Sequence, residues 1–101
     1  MLLRIWKTKA RPERSAELER FMRKTAIPTL KKTKGCIYAA CAKSSHSDPP
    51  QLIFLSIWKD LKSLKGFTGT NWQEPVVADE EAPLVLGVPE VEHYTLISKT
   101  S

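Results

Sequence analysis

A chain of 101 residues, 42% hydrophobic and 27% charged, has the composition of a globular protein and can bury one modest core but not two. We therefore expect a single domain over residues 1–101, no membrane partner because no apolar run approaches about 20 residues, and a cytoplasmic location because charges interrupt the first segment from Arg4 onward. The net charge is +5, but the lysines fall where amphipathic helices place solvated faces, which disfavours a nucleic-acid partner.

The first segment, LLRIWKTK, has the alternating pattern of a strand. Leu3 and Ile5 fall on one face, and Leu2 and Trp6 fall on the other. The tripeptide Ile-Trp-Lys returns in LIFLSIWKDL, again after an apolar run. We interpret the two copies as equivalent strand ends.

The next segment, PERSAELERFMRKTAIPTLKK, predicts an amphipathic helix. Its first residue is a proline, which the first helical turn tolerates. The spacing i, i+3, i+4, i+7 is followed by Leu18, Phe21, Met22 and Thr25. Pro28 should kink this helix or end its regular part.

A second strand is predicted over CIYAACAK, from Cys36 to Lys43. Five positions along a strand would place Cys36 and Cys41 about 16 Å apart and on opposite faces, so they cannot form a disulfide with each other. The two histidines, His46 and His93, are isolated and no metal-ligand spacing occurs. We therefore expect no metal site, and we expect His46 to be exposed in the loop SSHSDPPQ.

The third strand, LIFLSIW, is apolar on both faces. Asp60 can then cap a short helix, LKSLKGFTG, whose apolar edge comprises Leu61, Leu64 and Phe67. An irregular stretch follows, with a helical turn near residues 80–86, and VEHYTLI forms the last strand. The order of elements predicts an α+β, ferredoxin-like βαββαβ fold with a four-stranded antiparallel sheet.

The two-sided third strand has a consequence for assembly. Helices of such a fold cover one face of the sheet, so the large apolar side chains on the other face would form a wide exposed patch. A second copy of the sheet can cover it. We therefore expect a homodimer, in the form of a dimeric α+β barrel.

The second half of the chain resembles small proteins of the antibiotic biosynthesis monooxygenase domain family. The resemblance lies in the strand-ending Trp of IWKDLKSLKGFTG, the Phe-x-Gly after the short helix and the closing Val-x-His-Tyr, and the order of elements extends it over residues 2–97. It implies a dimeric α+β barrel with a pocket between helices and sheet. Some members oxidise polycyclic aromatic compounds with dioxygen without metal, flavin or haem, and others degrade haem.

The haem-degrading branch of that family is disfavoured here. Its members resemble one another in an Asn on the first strand, a Trp on the helix after the third strand and a His one helical segment later. This chain has no Asn in the first strand, Phe67 in place of the Trp, and no His between His46 and His93. We expect no cofactor.

Two functions remain open, a cofactor-independent monooxygenase acting on a small aromatic or phenolic compound and a non-catalytic small-ligand binding or accessory protein. The catalytic candidates are His93 and Tyr94, of which at most one faces any one cavity because neighbours alternate along a strand. His93 could equally be a hydrogen-bonded structural histidine. Aromatic residues able to contact a ligand are Trp6, Phe21, Tyr38, Trp58, Phe67 and Trp72. For Trp58 and Phe67 core packing is favoured over ligand contact, whereas Trp72, in the polar stretch TNWQEP, is the favoured pocket or interface residue.

Overall fold

The strands of this protein form one antiparallel sheet in the order β2-β3-β1-β4. A computed structural model describes residues 1–100. Over that range the strands are β1 (Leu2–Ala10), β2 (Cys36–Lys43), β3 (Gln51–Trp58) and β4 (Val85–Thr95), and the α-helices are α1 (Ser15–Phe21), α2 (Ile27–Lys31) and α3 (Leu61–Thr68). Short 3-10 helices cover Pro12–Arg14 and Ala82–Leu84. The predicted ferredoxin-like βαββαβ fold is confirmed.

The two central strands, β1 and β3, turn their even-numbered residues towards the helices. Cross-strand partners on this face include Leu2 with Trp58 and Trp6 with Phe54. Trp58 is fully buried and its ring stacks on that of Phe67 at a centroid distance of 5.4 Å. The two copies of Ile-Trp-Lys are not equivalent strand ends, because Trp58 ends β3 whereas Trp6 lies in the middle of β1.

The opposite face of the sheet is apolar at its centre and is covered by none of the helices of residues 1–100. It is formed by alternate residues of the same strands, and its central side chains, which are only half-buried, are Leu3, Ile5, Ile53, Leu55 and Ile57. Tyr38 and Tyr94 share this face through their pairing with Ile57 and Leu3. The two-sided apolar character predicted for the third strand is therefore present, and we name this surface the open face.

The helical segment between β1 and β2 continues past Pro28 to Lys31. Pro28 was predicted to kink the helix or to end its regular part, and the irregularity lies one turn before it. There Met22–Ala26 forms a π-helical turn, in which the Ile27 N–H donates to the Met22 carbonyl. Proline has no N–H to donate, so a widened turn before it accommodates the missing hydrogen bond. Leu18 and Met22 are buried as the spacing predicted.

Three local expectations need correction. A register shift after Cys36 places Cys36 and Cys41 on the same, helix-covered face rather than on opposite faces, and both are free thiols. β4 begins at Val85, six residues before the predicted start. A bulge and Gly87, whose φ is 80°, allow this irregular-looking sequence to remain in the sheet. β4 also ends at Thr95, before Leu96 and Ile97.

Other expectations hold. Asp60 caps α3, its carboxylate accepting a 2.8 Å hydrogen bond from the Ser63 N–H, and His46 is exposed in the β2–β3 loop. No helix within residues 1–100 combines the length and hydropathy that crossing a membrane requires.

Gly35 joins the helical segment to β2 in a position that only glycine suits. Its φ is 87°, and a Cβ placed on it would lie 2.2 Å from the Ser63 hydroxyl oxygen on α3. Its carbonyl accepts a 2.8 Å hydrogen bond from the Lys59 N–H. The close approach of this turn to α3 therefore depends on the absence of a side chain.

We expect Gly35→Ala to lower the free energy of unfolding by about 2 kcal/mol or more, because it combines an unfavourable φ with a steric clash. Gly66→Ala is the matched control. Gly66 lies inside α3, and a Cβ placed on it would have no atom within 4 Å, so alanine there should stabilise the protein by about 0.5–1 kcal/mol. Urea denaturation of the two variants measures both effects, and equal stabilities would contradict this account of Gly35.

Candidate functional site

A cavity of about 260 Å³ lies between the sheet and the helices. Its floor is the helix-covered face of β1 and β3, one wall is the helical segment of residues 21–30, and the other is formed by the end of α3 and residues 76–81. The exposed lining residues Thr25, Thr29 and Val76 mark where it meets solvent. The volume lies just below the roughly 300 Å³ at which ordinary ligand pockets begin, so it suits a small molecule.

Aromatic side chains supply most of the apolar surface of the cavity. Trp6 and Phe54 come from the floor, Phe21 from α1 and Phe67 from α3. Phe67 is 37% exposed, although its ring stacks on Trp58 in the core. Rings from four elements around one space are well placed to contact the faces or edges of a bound aromatic ring.

A buried guanidinium lies in the cavity floor. Arg4 is 4% exposed, and its Nη1 donates hydrogen bonds to the Trp72 carbonyl at 2.7 Å and to His93 Nε2 at 2.9 Å. Its Nη2 donates to the Glu74 carbonyl at 3.3 Å. Among residues 1–100 no carboxylate forms an ion pair with Arg4. Burial lowers the pKa of Arg4 to about 10, so the group remains charged at neutral pH without an ionic partner.

Two further donors lie beside Arg4 on the floor. Ser56 is its direct partner across β1 and β3, and the Ser56 hydroxyl oxygen accepts a 2.9 Å hydrogen bond from Trp58 Nε1. The hydroxyl hydrogen of Ser56 has no acceptor among residues 1–100. Trp6, two residues after Arg4 on the same face, is 7% exposed, and its buried Nε1 also has no partner within that range. The floor therefore has more hydrogen-bond donors than acceptors.

The cavity also contains a buried carboxyl group. Glu81 is 8% exposed, and its Oε1 accepts a 2.9 Å hydrogen bond from the Ala78 N–H. The pKa of the Glu81 carboxyl group is raised, chiefly by burial. The hydrogen bond from the Ala78 N–H lowers this pKa, and the charge of Glu80 raises it further. A carboxylate with a raised pKa is a stronger base than an ordinary one, which suits proton transfer near neutral pH.

His93 lies beside the cavity rather than in it. It pairs with Arg4 across β1 and β4, and its ring packs edge-on against Trp72 at a centroid distance of 4.7 Å. Burial, followed by the charge of Arg4, lowers the pKa of His93. The Nε2 lone pair accepts from Arg4, so the imidazole orients the guanidinium and is not free to take a proton from a ligand.

Only some of the candidate site residues named from the sequence lie at the cavity. Trp6, Phe21 and Phe67 line the cavity. The other candidates do not: Trp58 is in the core, Trp72 and His93 bind Arg4 from outside the cavity, and Tyr38 and Tyr94 are on the open face. The Tyr94 hydroxyl donates to Glu92, which forms a 2.7 Å salt bridge with Lys7 on that same face. His93 and Tyr94 thus face opposite sides, as predicted.

Sequence reasoning missed the polar residues of the cavity. Arg4 and Ser56 carried a usable signal, because alternation along a strand puts Arg4 on the same face as Leu2 and Trp6, and Ser56 on the same face as Trp58. Glu81 carried none, because it lies in an irregular acidic stretch whose path is set by tertiary contacts. Within residues 1–100, no group of three His, Cys, Asp or Glu side chains is arranged to hold a metal ion.

No protein-family model matches the chain, and no curated protein matches its sequence. Solved structures do match its fold. Three that carry the provisional name antibiotic biosynthesis monooxygenase come from Deinococcus radiodurans (TM-score 0.78, 14% identity, covering 100% of this chain and 97% of that one), Nitrosomonas europaea (0.77, 12%, 97% and 100%) and Caulobacter crescentus CB15 (0.72, 18%, 96% and 90%). The chain has the antibiotic biosynthesis monooxygenase type of ferredoxin-like fold, as the sequence resemblance indicated.

The environment of His93 predicts how the stability of the folded protein depends on pH. Because its pKa is lowered in the folded protein from an ordinary 6.5, the unfolded chain takes up this proton at a higher pH, and stability falls as pH decreases through and below that value. We expect His93→Gln to flatten this part of the stability profile, whereas His46→Gln, in an exposed loop, leaves it unchanged. Urea denaturation between pH 5 and 8 measures the slopes. An NMR titration midpoint for His93 above 6.5 would contradict the assignment.

Proposed function

We propose that this protein is a cofactor-independent monooxygenase that oxidises a small, electron-rich phenol with dioxygen in the cavity between sheet and helices. The observation that carries the proposal is the combination, in one aromatic cavity, of a buried guanidinium without an ionic partner and a buried carboxyl group of raised pKa. The fold shared with proteins named for this activity supports it.

The two groups have complementary roles. Glu81 accepts the proton of the phenol, and the positive charge of Arg4 stabilises the phenolate that remains. A phenolate gives up an electron more readily than a phenol, so deprotonation is the step by which the protein activates the substrate towards dioxygen. The aromatic side chains exclude water and hold the ring.

The reaction balances with dioxygen as the only oxidant. The phenolate transfers one electron to dioxygen, and the resulting superoxide couples to the ring carbon para to the oxygen, forming a C–O bond. Glu81 returns its proton to the peroxide. Cleavage of the O–O bond with loss of the ring C–H proton then forms the second carbonyl, and the departing hydroxide takes up a proton to give water. One phenol and one dioxygen yield one quinone and one water.

A non-catalytic ligand-binding protein on the same scaffold is the second candidate. It is favoured by the hydrogen bond from the Ala78 N–H to Glu81, which engages one carboxylate oxygen in a structural role. Such a protein would bind the same aromatic compounds in the cavity and consume no oxygen.

We further propose that the protein is a homodimer joined through its open faces. Five half-buried aliphatic side chains meet at the centre of this face, and Tyr38 and Tyr94, 55% and 47% exposed, flank them. Two such faces packed together would remove this apolar surface from water while leaving both cavities, on the other side of each sheet, intact.

Glu81→Gln tests the chemistry. Glutamine keeps an oxygen that can accept from the Ala78 N–H but cannot act as a base, so we expect oxygen uptake with hydroxylated naphthalenes to fall about 100-fold or more, with binding of the same compounds retained. The matched control is Asp79→Asn, an exposed neighbour outside the cavity, which should keep full activity. Saturable binding by wild-type protein without any oxygen uptake would instead favour the binding protein.

Leu55→Glu tests the dimer. A carboxylate at the centre of β3 on the open face would be buried against the second sheet, which is unfavourable by several kcal/mol, so we expect a monomer. Ala16→Glu adds the same charge on the exposed side of α1 and should leave the dimer intact. Sedimentation velocity at micromolar concentration distinguishes the two, and a monomeric wild-type protein would refute the proposed assembly.

A further inference from the structure

We infer that the floor of the cavity is a subsite for an anionic oxygen group, so that the compounds bound most tightly are small aromatic anions, carboxylates or phenolates, rather than neutral aromatics. This rests on the proposed function in one respect, that the cavity holds an aromatic ligand. It adds which end of the ligand is recognised, by which atoms and in which charge state.

The first argument is the hydrogen-bonding state of Arg4. A guanidinium carries five N–H groups. Three of them are used, two on the carbonyls of Trp72 and Glu74 and one on His93 Nε2. Two remain for a further acceptor, and Arg4 lines the cavity. A buried guanidinium held only by neutral acceptors retains its full charge, which favours an anion as the missing partner.

The second argument is that the nearest polar neighbours of Arg4 on the floor are also donors. Ser56 lies directly opposite Arg4 in the sheet and has used only its oxygen, as an acceptor from Trp58 Nε1. The buried indole N–H of Trp6 has no partner within residues 1–100. A buried donor without an acceptor is unfavourable, and one ligand oxygen group can satisfy several donors at once. Donors of three residue types around an aromatic space select an anionic oxygen attached to a ring.

The acidic groups at the cavity do not neutralise this floor. Glu81 and Glu80 both line the cavity, but neither forms an ion pair with Arg4. Glu81 is engaged with the Ala78 N–H, and Glu80 is exposed to solvent. The positive floor and the acidic wall are therefore separate features of one cavity, and an anionic ligand is held by the floor.

The test compares ligands of the same shape and different charge. Isothermal titration calorimetry at neutral pH measures binding of 2-naphthoate, neutral 2-naphthamide, and a nitronaphthol whose hydroxyl ionises near neutral pH. We expect naphthoate to bind about tenfold or more tightly than naphthamide, as charged hydrogen bonds imply. Affinity for the nitronaphthol should rise as its hydroxyl ionises. A gain for the carboxylate alone, or for the phenolate alone, identifies which anion the floor accepts.

Variants separate recognition of the anion from stability. Arg4→Gln should abolish the preference for naphthoate over naphthamide, but it also removes contacts to residues 72–74 and could unfold the chain. Trp6→Phe is the milder change, because it keeps an aromatic ring in the floor and removes a buried N–H that has no partner within residues 1–100. We expect it to weaken naphthoate binding several-fold and naphthamide binding by a clearly smaller factor, since both ligands lose the same ring contact but only naphthoate loses a hydrogen bond to an anion. The unfolding midpoint should fall only modestly, because a smaller ring occupies a nearly buried position. Tyr38→Phe, which also removes one polar hydrogen from an aromatic side chain but lies on the open face, is the matched control and should change neither affinity.

The outcomes distinguish this inference from the proposed function on which it rests. Equal affinities for naphthoate and naphthamide, in a ratio that Trp6→Phe leaves unchanged, would overturn the anionic subsite while leaving the cavity as an aromatic site. Failure of all three compounds to bind would overturn both. Tighter anion binding in a protein that consumes no oxygen would support the subsite and refute the oxygenase.

Discussion

Arg4 belongs to β1, one of the two central strands, and its guanidinium is buried without an ion pair to any carboxylate of residues 1–100. Its hydrogen bonds reach two backbone carbonyls of residues 72–74 and the imidazole of His93 on the neighbouring strand. A long, irregular connection is thereby held against the sheet at the point where the cavity begins. An apolar residue at this position could fill the space, but it could not bind those carbonyls.

The position of Arg4 follows from the way the sheet is covered. Helices pack on one face only, and the central strands send large apolar side chains to both faces. On the helix-covered face these side chains build a core around Trp58 and leave a cavity beside it, where Arg4 and Ser56 interrupt the apolar pattern. On the open face the aliphatic pattern is uninterrupted at the centre. We propose that each face has one role, a ligand site on the helix-covered side and an interface on the other.

In the function that we propose, the residues of the cavity activate the ligand themselves. The guanidinium stays charged because its pKa, though lowered by burial to about 10, remains far above neutral. The same burial raises the pKa of the Glu81 carboxyl group. One physical cause, desolvation, therefore prepares both a cation that stabilises negative charge and a base that can take up a proton.

The order of elements, the amphipathic helix, the Asp60 cap and the two-sided third strand could all be predicted from the sequence, because each depends on residues that are neighbours along the chain. Trp6, Phe21 and Phe67 were recognised as candidate ligand contacts on the same basis, as aromatic residues in predictable elements. The family resemblance, carried by short motifs, agreed with the fold.

The rest depended on contacts between distant segments. The parity of the first strand indicates which face Arg4 occupies, but not what Arg4 binds. The atoms that bind it belong to residues 72–74 and to His93, about 70 to 90 positions away. Glu81 lies in a stretch without periodicity. Trp58 and Trp72 have sequence contexts as suggestive as that of Trp6, yet packing placed one in the core and the other outside the cavity. The local sequence pattern determined which faces of the helices and strands are buried. Only the tertiary structure decided which buried residues line the cavity, because the cavity is formed by segments that are far apart in the sequence.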